Sequence, residues 1–231
     1  MYTYAEFRET IRFILKDKTV WRDSMLNGWI LDGVRDYSNY FPMEAYYKID
    51  CTNATREYQL STAEEAMGVI SVEYPDGETP PRYLQRLDET HPNFWDNPFY
   101  DIRQPAHNMV SMGSTPLYPT LVIGESPIST QDIIFRFLRP HLLPETDGDY
   151  FTIPDEHFEA IRLFVYWKAL QSIAVDHDID AGRKSAIMSS LGGTAKDAEY
   201  AYHYKLRSYG GPAPNTGLTG PWQMDRHDRI Y

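Results

Sequence analysis

The chain has 231 residues, 42% hydrophobic, 14% aromatic and 24% charged, an ordinary composition for a globular protein with a core of its own. No apolar run reaches the roughly eighteen residues of a membrane span, and the start, Met1-Tyr-Thr-Tyr-Ala-Glu, lacks the layout of a secretory signal. A formal charge of −11 argues against tight, sequence-independent adhesion to DNA phosphates, and a lone cysteine, Cys51, excludes an internal disulfide or a cysteine-based zinc site.

The first predicted element is a helix. Tyr4, Phe7, Ile11, Ile14 and Leu15 recur at three- and four-residue steps, with Glu6, Arg8, Glu9 and Arg12 between them. Lys16-Asp-Lys18 reads as a short connection. A second helix is expected from Asp23 or Ser24, either of which can cap it, and it buries Leu26, Trp29, Ile30, Gly33, Val34, Tyr37 and Phe41. Pro42 ends it, because the residue before a proline is pushed out of helical geometry. So short a link predicts an antiparallel helix pair.

From about Ala45 to Pro140 the helical period disappears and turn residues punctuate the chain. Tyr46–Cys51 and Glu57–Leu60 are expected to pair as a hairpin across Thr-Asn-Ala-Thr. Met67–Tyr74 alternates and stops at the turn Pro75-Asp-Gly77, and further strands are predicted at Arg82–Leu84, Phe99–Ile102, Thr120–Ile123 and Asp132–Leu138. Short strands spaced by turns suggest a small antiparallel sandwich or barrel. The stretch from Pro75 to Pro119 holds long loops, which are normally functional or ordered by a partner.

Helix returns after Thr152-Ile-Pro-Asp-Glu, with Thr152 or Asp155 as cap and Pro154 in the first turn. Phe158, Ile161, Phe164, Val165, Leu170, Ile173 and Ala174, with Trp167 beside them, make it apolar on nearly all sides and so the central helix. A fourth helix is expected from about Ala181 to Arg207, interrupted or bent near Gly192-Gly193. The stretch from Ser208 is rich in Gly and Pro and cannot be a regular helix or a central strand. The predicted class is thus α+β. A four-helix bundle-like domain (1–43 and 150–207) carries a β-rich, sandwich- or barrel-like insertion (44–149) between its second and third helices, and ends in an extended C-terminal arm (208–231).

The search for chemistry finds no P-loop, G-x-G-x-x-G, H-E-x-x-H or G-x-S-x-G pattern, so no catalytic, cofactor-binding or metal residues are expected and no cofactor is required. Cys51 has no nearby histidine and reads as a structural thiol. Asp176, His177, Asp178 and Asp180 carry groups that can bind a divalent cation, but the plainer reading is a polar loop capping the next helix. His91, His107 and His141 read as surface or interface histidines. Asn53-Ala-Thr55 matches a glycosylation sequon, read as coincidence without a secretory signal. Among eighteen tyrosines, Tyr200, Tyr202 and Tyr204 suggest protein–protein contact more than sugar or base stacking.

Burying Leu218, Trp222, Met224, Ile230 and Tyr231 cannot by itself offset the entropy of ordering the tail. The tail is therefore either disordered or laid along a partner, with backbone hydrogen bonds making up the difference. With Tyr209, these residues read as a docking arm.

The order of features resembles a known family. Asp36-Tyr-Ser-Asn-Tyr-Phe-Pro42, Val69-Ile-Ser-Val-Glu-Tyr74 followed by Gly77 and Pro81-Arg-Tyr-Leu84, Leu121-Val-Ile-Gly124, Ile133–Leu138, Arg139-Pro-His-Leu142 and Ile153-Pro-Asp-Glu-His-Phe together look like the head–tail adaptors of tailed bacteriophages, over roughly residues 3–205. The resemblance implies a ring, typically dodecameric, attached beneath the portal protein as a connector. The C-terminal arm would contact the portal, lower surfaces would receive neck or tail proteins, and DNA would pass through on ejection without specific binding. It implies a virion location at the head–tail junction after synthesis in the host cytoplasm, and no membrane partner. The insertion is larger than in minimal, nearly all-helical adaptors. Another neck or tail-completion ring protein is the nearest alternative. A carbohydrate- or host-surface-binding module, and a metal-dependent hydrolase using His177 and its acids, are readings of other classes.

Overall fold

The computed structural model describes residues 2–15, 21–60, 66–103, 119–175, 181–190 and 193–210. Among these the chain is mixed α+β, with helices α1 (Tyr4–Leu15), α2 (Asp23–Tyr40), α3 (Phe158–Val175), α4 (Ala181–Ser190) and α5 (Ala195–Ser208). Seven strands lie between α2 and α3: β1 (Met43–Asp50), β2 (Glu57–Gln59), β3 (Gly68–Glu73), β4 (Gln85–Arg86), β5 (Phe99–Arg103), β6 (Thr120–Ile123) and β7 (Asp132–Arg139). The chain divides into a helical unit, Met1–Met43 with Pro140–Gly217, and a β unit that includes Glu44–Arg139.

In the helical unit, α2 and α5 lie against α3, and α1 against α2. Helix α1 buries Tyr4, Phe7, Ile11 and Leu15, the face its periodicity defines. Its start is fixed by a reciprocal pair: Glu6 N donates to Thr3 Oγ1 at 3.2 Å, and Thr3 N to Glu6 Oε2 at 2.9 Å. Arg8 then grips Asp147 through two parallel bonds of 2.8 and 2.9 Å, and Tyr4 N donates to Asp149 O. Residues 140–149, which the sequence reading placed in the insertion, group with the helices.

Helix α2 begins as expected, but neither Asp23 nor Ser24 caps it. Arg22 occupies the cap position with no side-chain bond, and Asp23 instead pairs with Arg12 of α1. Gly33 lets α3 approach closely: a Cβ there would stand 3.0 Å from Phe164. Helix α3 buries eight residues, among them Ile161, Phe164, Val165 and Ile173, while Ala174 is exposed. Thr152 and Asp155 do not cap this segment. A 3-10 turn, Asp155–His157, precedes α3 with Pro154 in the cap position, and the Thr152 hydroxyl is engaged elsewhere.

The run expected from Ala181 to Arg207, interrupted or bent, is two helices: α4 ends at Ser190 and α5 begins at Ala195. Thr194 opens α5 with a capping box: its hydroxyl accepts from Asp197 N while Asp197 accepts from Thr194 N. A helix start written into the sequence at that point divides the run, the interruption being the outcome found of the two expected.

The β unit contains a three-stranded sheet ordered β1-β7-β3 and a four-stranded sheet ordered β2-β6-β5-β4. The expected hairpin between the first two strands does not form; β1 and β2 belong to different sheets. The loop joining them spends its backbone on another loop, with Cys51 N donating to Gln131 O, Ala54 N to Pro127 O, and Asn53 Oδ1 accepting from Ser129 N. Strand β7 pairs antiparallel with β3, with a register shift between Val69 and Ser71. Strand β5 pairs antiparallel with β6 but parallel with β4, so the four-stranded sheet is not purely antiparallel. Tyr83 forms only an isolated bridge, to Glu73. One apolar cluster takes side chains from both sheets: Ile49, Val72, Ile133 and Phe135 from one, Tyr58, Tyr100, Ile102 and Leu121 from the other. Cys51 is buried in it, and burial pushes its thiol pKa up, away from reactivity.

Candidate functional site

The end of α5 is held by a cluster of aromatic and imidazole rings. Helix α5 lies on α3 through Tyr202, which is fully buried, packs edge-on against Phe164 and donates its hydroxyl to Asp36 of α2. Burial and the Asp36 charge raise the Tyr202 pKa, so the hydroxyl stays a donor. Two turns later comes Tyr209. Its ring stacks on His157 at 3.9 Å between centroids and 16° between planes. Its hydroxyl donates to Glu156 O at 2.7 Å, and Phe41 and the Lys205 ammonium flank the ring. Burial, aided by Glu159 and Glu156, pushes the Tyr209 pKa up to about 12.

Beneath Tyr209 the rings continue inward. His157 meets the Tyr37 hydroxyl through Nδ1, and Tyr37 stacks on Phe41 at 5.2 Å. Burial lowers the His157 pKa and raises that of Tyr37. The phenol therefore donates and the neutral imidazole accepts.

His141 completes the cluster. Its Nε2 lies 2.9 Å from Phe41 O; a carbonyl can only accept, so this nitrogen carries the proton. Nδ1 then accepts from the Thr152 hydroxyl at 2.9 Å, and that oxygen accepts from Leu142 N at 3.1 Å. The His141 N–H donates to Ser38 Oγ, whose proton goes to Val34 O. Every polar group in this chain of bonds has a partner, as burial demands. His141 is 7% exposed, so the expected surface or interface histidine is a core one. Desolvation holds its pKa below the ordinary value.

The cluster holds three crossing points of the chain: Phe41 just before β1, His141 just after β7, and Tyr209 at the end of α5. It is a structural clasp with neutral imidazoles.

Of the residues assigned to the arm, Tyr209 lies in this clasp, bound within its own chain, while Leu218, Trp222, Met224, Ile230 and Tyr231 lie outside the described residues. Asp176, His177, Asp178, Asp180 and His107 also lie outside them. His91 is exposed, and its Nδ1 accepts from Asn93 N. Among the described residues no group of three or more His, Cys, Asp or Glu side chains is placed to hold a metal ion, and no helix is long and apolar enough to cross a membrane. Tyr200 and Tyr204 are exposed on α5 with nearly parallel rings, whereas Tyr202 between them is core. Sequence reasoning missed His157 and the role of His141. The available signal was Tyr37 and Phe41 at one-turn spacing, which marks an aromatic face without naming its partners.

The body is α+β, with helices before and after a β excursion in the chain and an aromatic clasp at the end of α5. The model of the SU10 adaptor protein family matches residues 2–209, so the chain belongs to that family of phage head–tail adaptors and is a component of the virion. No curated protein matches the chain closely.

Proposed function

We propose that this protein is the head–tail adaptor of a tailed bacteriophage: a structural, non-enzymatic ring, typically dodecameric, that attaches to the portal protein and connects the capsid to the neck and tail. Membership of the SU10 adaptor family over residues 2–209 carries this reading. Residues beyond the clasp, with Leu218, Trp222, Met224, Ile230 and Tyr231 as anchors, form the arm that docks on the portal, and Tyr209 ties the base of that arm to the body. Many arms engaged at once give avidity, so a weak single contact yields a durable joint. A subunit of net charge −11 gives the ring an acidic lumen through which DNA passes without being held. The helical unit builds the ring, and the β unit faces the tail, a neighbouring subunit or the outside.

The test is native mass spectrometry of the chain mixed with its phage's portal ring, full length and lacking residues 211–231. The full chain is expected to load onto the portal as a closed ring. The shortened chain, which keeps Tyr209, is expected to fold and fail to load. Normal loading by the shortened chain removes the docking arm, and failure of the full chain to load removes the portal-adaptor reading.

A further inference from the structure

Two exposed aromatic stripes of opposite charge lie on different helices of the helical unit. Along α1 and the residues just before it, Tyr2, Glu6, Glu9 and Phe13 follow one another at steps of four, three and four, which aligns them on one side. Tyr2 is 40% and Phe13 82% exposed. With Thr10 and Asp155 they line a shallow trough of about 840 Å³. Glu6 spends one carboxylate oxygen on Thr3 N, and Arg12 reaches Glu9 only at 3.6 Å because its guanidinium is directed to Asp23.

Along α5, Lys196, Tyr200, Tyr204 and Arg207 are exposed on one side, with Tyr200 72% and Tyr204 64% accessible. Asp197 beside them is committed to the capping box, and Glu199 is half-buried.

The geometry points to the α5 stripe of one copy seating in the α1 trough of the next. This rests on the ring reading above and names its seam. The complementarity is positional as well as electrostatic. The trough has carboxylates at its centre and rings at its ends; the α5 stripe has phenols at its centre and cations at its ends. Both stripes run twelve residues, eleven steps or about 16 Å as helix, so they match in length. Tyr200 and Tyr204 donate to Glu6 and Glu9, and Lys196 and Arg207 lie over Tyr2 and Phe13. Pairing like with like fails, because trough on trough sets acid against acid. A surface that fits a different surface of the same chain makes a heterologous contact, which repeats head to tail and closes into a ring when the rotation allows.

Reciprocal variants test this. Glu9→Lys with Phe13→Lys is expected to abolish assembly with the portal ring, read by native mass spectrometry, and Tyr204→Glu with Arg207→Glu to do the same. An equimolar mixture of the two is expected to assemble again, because each chain's altered stripe then meets its complement, and a chain carrying all four changes is expected to assemble alone. Unfolded chains cannot give that rescue. Carbodiimide cross-linking of mixed light and heavy wild-type chains is expected to join Glu6 or Glu9 of one copy to Lys196 of another. Rings that form normally from either variant alone overturn the seam and leave the ring reading standing. A wild-type chain that gives neither ring nor intermolecular link removes both.

Discussion

Burial keeps the His141 imidazole neutral, and its two hydrogen bonds require that state, since Nδ1 must accept while Nε2 donates. His157 is held neutral in the same cluster by the same desolvation. Both folded pKa values lie below the ordinary 6.5. As pH falls through that ordinary value, the unfolded chain binds protons that the folded chain refuses. The stabilisation is complete above about pH 7 and is lost as pH drops below 6.5 toward the folded values, then levels off beneath them. Thermal melts across this range should show a falling midpoint. His141→Leu removes one of the two groups and strands Thr152 and Phe41 O, so it should cost about 1–3 kcal/mol at neutral pH while flattening the slope. An equally steep slope in the variant would mean that His141 is not among the groups responsible. Gly124 makes a different kind of demand. A Cβ there would fall 2.1 Å from Phe94 O and 2.8 Å from Asn97 O, both backbone atoms. Gly124→Ala should destabilise by about 1–3 kcal/mol or more, measured by urea unfolding. A neutral result would show that the 94–97 loop can retreat.

At the scale of elements, the parts legible in the sequence were those whose signal is local. The first helix could be read from Tyr4, Phe7, Ile11 and Leu15 because one face decides it, and β7 from the alternation of Ile133, Phe135 and Phe137. What stayed hidden depends on distant partners. Strand β1 alternates well, but nothing within it names β7 as its neighbour. The two-residue β4 exists because β5 lies alongside it. His141 looked like a surface histidine since its acceptor, Phe41 O, is a hundred residues away in sequence. The division of α4 from α5 was legible in principle: Thr194 and Asp197 stand at capping-box spacing, with Asp in place of the commoner Glu or Gln. If that box sets the start of α5, Thr194→Ala should cost about 0.5–2 kcal/mol. Amide hydrogen exchange should then speed up in the first turn of α5 before the rest of the helical unit changes. Uniform acceleration along α5 would mean that the packing of Tyr202 and Leu206, rather than the cap, fixes the helix.

For the whole molecule, the chain path bears on whether the β unit is separable. Lys48 Nζ lies 2.7 Å from Asp132 Oδ2, and Cys51 N donates to Gln131 O, so the far end of β1 is beside the near end of β7. Strand order places β1 next to β7 along the sheet, which brings Met43 and Arg139, the two ends of the excursion, side by side. On the helical side, the Phe41 O bond to His141 holds the same two strands of chain together. A segment whose ends are adjacent can be removed with little loss in loop closure. Each unit also has its own apolar cluster, one built on α1, α2, α3 and α5 and the other on both sheets. Replacing residues 44–139 with a short Gly/Ser linker should therefore leave a helical unit that melts cooperatively, keeps its helical circular dichroism and protects the Tyr202 amide from exchange. Under the proposed function, that shortened protein should still load onto the portal, since arm and ring-forming helices are retained. Loss of cooperative melting would mean that the helices depend on the β unit for stability. Loss of portal loading by a folded, shortened chain would move the portal contact from the arm to the insertion.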